Sequence, residues 1–435
     1  MDTKGYGHIP NALFDAITFL AQALPKRSVP TFLELLFGAM LTQNGFVTEA
    51  WLAIKPRRHW SSYFKWLQKG RWSWVALGLQ TARLALQRTD ARRCFVAIDD
   101  TLIFRGSRKA PESRIHHQHG RKANRPDYVR GQNWVSLALV LPQGWRSLAL
   151  PVLSRLPRAT GNGGKLVAAK TLLRVARRVF RERLVTLLVD SWYMRKSLLL
   201  PAQAMGYKVI GQVRKDTALY LPPPPHDGKR GRPRKYGDKL TQARVDQLPV
   251  VTQRIFLYNG WKTLHYRSCE ALAYFLNGQR VRVVWSQIEN EDGTLRQTRL
   301  ILCTDLSLSA TRILLAYNRR WSIEDLFNQL KNRWGWKDAW QQSRQVLHRW
   351  TQILSTSYAL PQLLAQMNSE EVKTLASMSP WRHKQPVTAG RVRQGLQRIF
   401  AHVDIRSHWN PKTGKFMAQN QASRPGRPPN QRKAA

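Results

Sequence analysis

Two short apolar runs that each end in aspartate constrain the fold of this chain more than any other feature. The first is CFVAID, at residues 94–99, and the second is LVTLLVD, at residues 184–190. Between them lie two apolar runs separated by the turn-forming PQGW, and then KLVAAKTLLRVARRVF, which has the spacing of a helix. A further helical run and the strand-like YKVIGQV, at residues 207–213, follow Asp190. The order β, β, β, α, β, α, β predicts an α/β fold, in which helices flank a mixed sheet.

The sequence around this sheet divides by composition. We expect five segments, at residues 1–90, 91–215, 216–305, 306–368 and 369–435. The first has helical spacing throughout and predicts an all-α N-terminal domain, and the second holds the first part of the sheet. The third opens with a proline-rich basic linker and continues as strand-like runs, which indicates a β-rich insertion. Helical spacing returns in the fourth segment, whereas the fifth is basic and ends in a polar tail, predicted to be disordered from about His402.

The balance of charge indicates a polyanionic partner. The 435 residues include 71 Lys and Arg against 26 Asp and Glu, a formal net charge of +45. Double-stranded DNA is the expected partner, because neutralising its phosphates releases counterions. Neither an amphipathic anchor nor a lipidation signal nor a signal-peptide pattern is present, so we expect no membrane partner and a cytoplasmic, nucleoid-associated protein. Cys94, Cys269 and Cys303 are far apart in sequence and predict neither disulfides nor a cysteine-based zinc site.

The N-terminal helical segment mixes aromatic with basic residues. Its four tryptophans at positions 60, 66, 72 and 74 fit a helix-packing core. Five Lys and Arg residues between positions 57 and 71 are interleaved with them, which also fits a small helical domain that reads DNA. The sequence leaves both interpretations open.

One stripe of a predicted helix carries an unusual set of side chains. In AYNRRWSIEDLFNQLKNRW, residues 316–334, the side chains of Tyr317, Arg320, Glu324 and Lys331 fall within about 60° at 100° per residue. Such a stripe could be a solvated lattice of ion pairs. Its combination with two strand-end aspartates instead favours the wall of an active site.

These residues resemble the DDE transposases of bacterial insertion sequences. The family carries a Tyr-x2-Arg-x3-Glu-x6-Lys motif, and YNRRWSIEDLFNQLK, from Tyr317 to Lys331, has that spacing throughout. IDDT, at residues 98–101, looks like the family's first-aspartate segment, and VDSWY, at residues 189–193, looks like its second. The resemblance covers residues 90–340 and implies an RNase H-like catalytic domain with a β-rich domain inserted before the glutamate.

The resemblance implies a catalytic and metal-binding set of Asp99, Asp190 and Glu324. Three carboxylates fit two Mg²⁺ or Mn²⁺ ions, because hard divalent cations prefer oxygen ligands. Arg320 and Lys331 would bind DNA phosphates, and Tyr317 would position the strand. Asp99 and Asp100 are adjacent and point to opposite faces of a strand; the family pattern favours Asp99 as the ligand.

The implied activity is cleavage at the terminal inverted repeats of an element and strand transfer to target DNA, and we expect cut-and-paste transposition by a homodimer or larger assembly. Two alternatives remain open. One is a non-catalytic DNA-binding protein derived from a transposase, although retention of all three carboxylates argues against it. The other is an RNase H-like nuclease without strand transfer, which would not need a β-rich insertion.

Three accessory features have weaker interpretations. KRGRPRKYG, residues 229–237, contains the core of an AT-hook, whose Arg230 and Arg232 could enter the minor groove of A·T-rich DNA. The histidines at positions 116, 117 and 119 lack the spacing of a metal site. Relatives in this group stack an aromatic side chain on a displaced base, but Trp261 and Trp285 are predicted to belong to the core.

Overall fold

The computed structural model describes most of the chain in two compact units. The described residues are 9–54, 56–89, 92–118, 126–144, 146–158, 161–225, 233–258, 260–367, 369–377 and 385–417. One unit, here called the sheet unit, comprises Ala85–Lys331, and the other, the helical unit, comprises Met1–Leu84 with Asn332–Ala435. Arg230 and Arg232 lie outside the described residues, as do His119 and the tail after residue 417.

The sheet unit begins with the strands and helices that the sequence predicts. Their bounds are β1 (Arg93–Phe104), β2 (Arg114–His117), β3 (Tyr128–Gln143), β4 (Arg146–Arg155), α6 (Gly161–Ala176), β5 (Leu184–Val189), α7 (Lys196–Ala204) and β6 (Tyr207–Val213). The predicted order is confirmed, with the short strand β2 in addition. The hairpin between β3 and β4 turns at Gly144, whose φ of 54° is one that glycine adopts without strain.

Five of these strands form the core of the sheet, in the order β4, β3, β1, β5, β6. The first three are antiparallel neighbours, whereas β1, β5 and β6 run parallel. Residues 185–189 of the central strand β5 are all buried, as expected for a strand covered on both faces. This is the RNase H-like arrangement that the resemblance implies, so the predicted fold class is confirmed.

The strands after residue 216 extend the same sheet. They are β7 (Leu219–Tyr220), β8 (Val251–Leu257), β9 (Gly260–Ala273), β10 (Gln279–Ile288) and β11 (Arg299–Cys303), with the short helix α8 (Gln242–Asp246). β11 pairs antiparallel with β6, and β10 and β9 follow outward. The motif segment comes next, as α9 (Ala310–Asn318), a 3₁₀ turn (Arg319–Trp321) and α10 (Ser322–Arg333). The predicted continuous helix is therefore tightened at the turn that contains Arg320.

The helical unit is built around one long buried helix. Its helices are α1 (Asn11–Ala21), α2 (Val29–Leu41), α3 (Val47–Leu52), α4 (Trp60–Lys69), most of α5 (Trp74–Leu86), α11 (Arg344–Ala365), α12 (Glu370–Ala376) and α13 (Ala389–Phe400). α11 is buried from Val346 to Pro361 and packs on α1, α2, α4 and α13. Among the described residues, no helix combines the length and apolar composition needed to cross a membrane.

Two expectations for this unit need correction. The chain beyond His402 is ordered as far as Met417, because Trp409 and Phe416 pair in the hairpin β12 (Trp409–Asn410) and β13 (Lys415–Phe416), and Phe416 stacks on Phe14 at 4.3 Å. The four tryptophans do not all belong to the core. Trp72 is buried, but Trp60 is 44% exposed at the start of α4.

Candidate active site

The two predicted aspartates lie side by side in the sheet, although only Asp190 follows the end of its strand, since β1 continues past Asp99 to Phe104. In the parallel pairing of β1 with β5, Ala97 is opposite Leu188, and continuing this register by two residues brings Asp99 level with Asp190. Burial raises the pKa of Asp99 to about 7, and the negative charge of Asp190 contributes to the rise. The strand order of an RNase H-like sheet thus converts two aspartates 91 positions apart into one buried acidic pair.

The turn after β5 fixes the carboxylate of Asp190. The backbone N–H groups of Trp192 and Tyr193 donate to its Oδ1 at 3.0 and 3.1 Å. Burial raises the pKa of Asp190, while these two hydrogen bonds and the charge of Arg320 oppose the rise. One carboxylate oxygen is therefore held by the backbone, and the other remains for a ligand.

Arg320 joins the motif segment to the acidic pair. One terminal nitrogen of its guanidinium lies 3.1 Å from Asp99 Oδ2, and the other lies 2.9 Å from Glu324 Oε1. Its side chain is only 9% exposed, whereas that of Glu324 is 40% exposed. Burial lowers the pKa of Arg320, but the charges around it outweigh burial and raise that pKa overall. The buried Nε–H of Arg320 has no hydrogen-bond acceptor within the described part of the chain.

The other two motif residues also meet the carboxyl end of the sheet. Lys331 Nζ donates to Thr101 Oγ1 at 3.0 Å, two positions after Asp99 on β1. Tyr317 is buried, and its hydroxyl donates to Gln212 Oε1 on β6 at 3.5 Å. The structure thus places Arg320 and Lys331 against β1 and Tyr317 against β6, and Glu324 is joined to them through Arg320.

Asp100, the neighbour of Asp99, has different partners. Its Oδ1 accepts the hydroxyl proton of Tyr193 at 2.9 Å, and its Oδ2 lies 2.8 Å from Lys165 Nζ. Sequence reasoning preferred Asp99 to Asp100 as the ligand and assigned no role to Tyr193 or Lys165. The aspartate that contacts the motif arginine is Asp99.

The carboxylates fit divalent cations in chemistry but are not gathered into one cluster. Within the described residues, no three His, Cys, Asp or Glu side chains lie close enough together to hold one metal ion. Asp99 and Asp190 supply the oxygen ligands that Mg²⁺ and Mn²⁺ prefer. Arg320 engages Glu324 through Oε1 alone, so a site built from all three carboxylates requires Glu324 to approach the two aspartates more closely.

A cavity of about 780 Å³ opens beside the motif residues, entirely within the sheet unit. Tyr317, Arg320 and Ser191 contribute to its lining. Sequence reasoning missed two further aromatic residues there, Tyr258 and Trp321, whose rings meet edge to face at 5.8 Å. No sequence pattern marks Tyr258, but Trp321 directly follows Arg320 and could have been found from that position.

Of the accessory residues, His116 is close enough to Lys165 and Asp100 to interact with their charges, and burial lowers its pKa. Trp261 is 52% exposed, so its predicted place in the core is wrong, because β9 presents it to solvent next to Arg254. Trp285 is half-buried. His116 and His117 are consecutive residues of β2 and therefore point to opposite faces. Arg230 and Arg232 cannot be placed, since they are not among the described residues.

Comparison with known proteins agrees with this geometry. Residues 20–270 match the family model described as DDE superfamily endonuclease, which is more than half of the chain. The chain belongs to the DDE superfamily of endonucleases. No curated protein matches it significantly.

Membership in the DDE superfamily implies a nuclease type of activity and a DNA substrate. Nucleases of this superfamily generally use divalent metal ions. The matched region contains Asp99 and Asp190 but ends before Glu324. The case for Glu324 therefore rests on the motif spacing and on its contact with Arg320.

Proposed function

We propose that this DDE superfamily endonuclease is the transposase of an insertion sequence, which cleaves phosphodiester bonds at the ends of its element and transfers the freed strand to target DNA. The observation that carries the proposal is the Arg320 bridge. It connects the third motif carboxylate, Glu324, to Asp99 of β1, although the two are 225 positions apart. A Tyr-x2-Arg-x3-Glu-x6-Lys segment lying against the first aspartate is the arrangement that the resemblance to insertion-sequence transposases implies.

In the proposed reaction Asp99, Asp190 and Glu324 hold divalent cations at the scissile phosphate. Such ions, when bound, activate the attacking oxygen and relieve charge on the leaving oxygen. Asp190 is oriented for this by the N–H groups of Trp192 and Tyr193. Asp99 is oriented by the N–H of Asp100, which donates to its Oδ1 at 2.8 Å.

Arg320 and Lys331 then bind the DNA backbone. Arg320 has a buried Nε–H without an acceptor in the described part of the chain, and a phosphate oxygen would accept this hydrogen bond. When DNA phosphate draws the guanidinium away, Glu324 becomes available to the cations. Substrate binding and completion of the site are thereby coupled, and Tyr317 lines the cavity through which the strand would pass.

Asp190→Ala tests the proposal with duplexes that carry the DNA bordering the gene on each side. We expect Mg²⁺-dependent cleavage to fall by at least about 1000-fold while binding of the same duplexes stays within about twofold, because the substituted residue acts on the cations. The matched control is Asp305→Asn, since Asp305 also follows a strand and is buried, but its carboxylate pairs with Arg93 at 2.8 Å. Unchanged cleavage by Asp190→Ala would contradict the proposal.

Strand transfer separates the transposase from the two alternatives. A duplex with a pre-cleaved 3′-hydroxyl end and a supercoiled plasmid should yield joined products with the wild-type protein. A nuclease would cleave without joining, and a non-catalytic DNA-binding protein would do neither. Gel filtration of the protein bound to the duplexes tests the proposed dimer or larger assembly.

A further inference from the structure

A network of hydrogen bonds and charged contacts joins the turn that carries Asp190 to Asp100 of β1. Tyr193 belongs to it twice, because its backbone N–H donates to Asp190 at 3.1 Å and its side-chain hydroxyl donates to Asp100 at 2.9 Å. Lys165, on α6, pairs with the second oxygen of Asp100 at 2.8 Å. Its ammonium also lies 4.7 Å from the ring centroid of Trp192, the other residue whose N–H holds Asp190.

We infer that Asp100, Tyr193 and Lys165 are positioning residues, which fix the carboxylate of Asp190 relative to that of Asp99 and so set the geometry in which the pair binds a divalent cation. The inference rests on the proposed function, in that Asp99 and Asp190 are taken to hold the cation.

The covalent arrangement makes this network a short link between the two aspartates. Asp100 is bonded to Asp99 within β1, and Tyr193 follows Asp190 by three positions. The hydroxyl of Tyr193 therefore joins the end of β5 to β1 beyond the last backbone pairing of these strands, which is Ala97 with Leu188. Lys165 provides a second link between the same two segments, because it pairs with Asp100 of β1 and lies over the ring of Trp192 in the turn.

Both carboxylate oxygens of Asp100 are already engaged. Tyr193 occupies Oδ1 and Lys165 occupies Oδ2, whereas Asp99 contacts Arg320. Tyr193 is fully buried, and its hydroxyl donates to Asp100. These features suit a support for the acidic pair rather than a direct ligand.

The test measures Mn²⁺ binding to the full chain by calorimetry, without DNA. Tyr193→Phe removes one hydroxyl and should weaken Mn²⁺ binding about 10-fold, the effect typical of losing a residue that orients a metal ligand. The matched control is Tyr207→Phe. Tyr207 is also buried in the sheet unit, and its hydroxyl donates to the backbone oxygen of Leu173 at 2.9 Å, so its loss should leave the Mn²⁺ affinity unchanged.

Thermal unfolding without Mn²⁺ separates positioning from a purely structural role. Both tyrosine variants should unfold at similarly reduced temperatures, while only Tyr193→Phe changes the added stability that Mn²⁺ confers. Equal losses of Mn²⁺ affinity in the two variants, or none in Tyr193→Phe, would overturn the inference.

Asp100→Asn and Asp190→Asn distinguish the possible failures. Asn at position 100 keeps an oxygen that accepts from Tyr193 and should bind Mn²⁺ more tightly than Asp100→Ala, whereas Asp190→Asn should bind none. If Asp100→Asn abolished binding as completely as Asp190→Asn, Asp100 would be a ligand and the inference would be wrong. If Asp190→Asn bound Mn²⁺ like the wild type, the proposed function would fail, and the inference with it.

Discussion

Buried arginines meet opposite kinds of partner in the helical unit and in the cleft of the sheet unit. In the helical unit, Arg349 of α11 donates to the backbone oxygens of Leu67, Gly70 and Trp72, at 2.6 to 2.7 Å. In the cleft, Arg320 lies between two carboxylates. Arg349 therefore donates to neutral carbonyl groups of its own unit. Arg320 instead balances the charges of two carboxylates, where a divalent cation could take the place of the arginine and a phosphate could take the place of the carboxylates.

Arg393 of α13 repeats the helical-unit pattern. It donates to the backbone oxygens of Met40, Thr42 and Arg333 and lies 4.1 Å from the ring of Trp334. Burial and the nearby Arg333 lower its pKa to about 10. The last carbonyl groups of a helix lack partners within the helix, and a cation near them is also favoured by the helix dipole. Part of the +45 charge therefore stabilises helix ends and is not available to DNA.

Arg349→Leu should have the largest effect on stability. The substitution removes the arginine donors of the carbonyl oxygens of Leu67 and Trp72 and one of the two donors of Gly70, which we expect to lower the free energy of unfolding by about 3 to 5 kcal/mol. Urea denaturation of the full chain measures it. Arg71→Met is the control, because Arg71 is exposed and its loss should change the free energy by less than about 0.5 kcal/mol. Similar losses in the two variants would contradict the structural role.

Arg320→Met should affect activity more than stability, in contrast to Arg349→Leu, whose main effect is on stability. We expect DNA cleavage in Mg²⁺ to fall about 100-fold, because a positioned charge beside the reacting phosphate is lost. Stability measured in the same Mg²⁺ buffer should fall by less than half as much as in Arg349→Leu, since divalent cations can balance Asp99 and Asp190. Arg320→Lys keeps the charge but cannot bridge two carboxylates and should recover only part of the activity. The comparison fails if Arg320→Met unfolds as readily as Arg349→Leu and retains its activity.

The sequence predicted the sheet because its signals are local. Apolar runs and turn residues establish where strands begin and end, and the order of elements restricts how they pair. The motif stripe was accessible for the same reason, as four residues within 15 positions. The helix wheel could not foresee the 3₁₀ turn at Arg319–Trp321, because apolar spacing does not distinguish a tightened turn from an α-helical one.

Features that depend on long-range packing were not predictable. Tyr193 meets Asp100 only because β5 pairs with β1, and the sequence of neither segment indicates that the two come together. The local sequence does not distinguish Trp60 from Trp72. Of the two, it is Trp72 that packs against Arg349, with its ring centroid 4.9 Å from the guanidinium carbon. The order of the chain after His402 likewise depends on Phe14, nearly 400 positions away.

Lys331→Ala tests whether the cleft rather than net charge accounts for DNA affinity. We expect about 10-fold weaker binding of the element ends at low salt and a salt dependence smaller by about one phosphate contact. Lys373→Ala is the control, because Lys373 of the helical unit is an exposed lysine paired with Glu370 at 2.7 Å. Fluorescence anisotropy over a range of salt concentrations measures both. Equal weakening by the two substitutions would indicate that charge alone matters.

Asp404→Asn should have the smallest effect on stability, and the size of this effect depends on pH. Burial raises the pKa of Asp404, but the hydrogen bonds and charge of Arg406 outweigh burial and hold that pKa below its ordinary value of 3.8. A carboxylate with a lowered pKa contributes its stability above the pKa of the unfolded chain and loses it as the pH falls through the folded pKa. The wild type should therefore exceed the variant by about 1 kcal/mol at pH 7, and this gap should close below about pH 4.

Asp305→Asn extends this last test to the sheet unit, outside the cleft. Burial again opposes ionisation, but Ser307 and Arg93 outweigh it and lower the pKa of Asp305. Its stability gap should close over the same acid range as that of Asp404→Asn, in urea denaturation at pH 7, 5 and 3. Agreement between the two variants would show that these arginine-paired aspartates behave in the opposite way to Asp99 of the cleft, whose pKa is raised. A gap that widens in acid for either variant would mean that arginine pairing does not govern these aspartates.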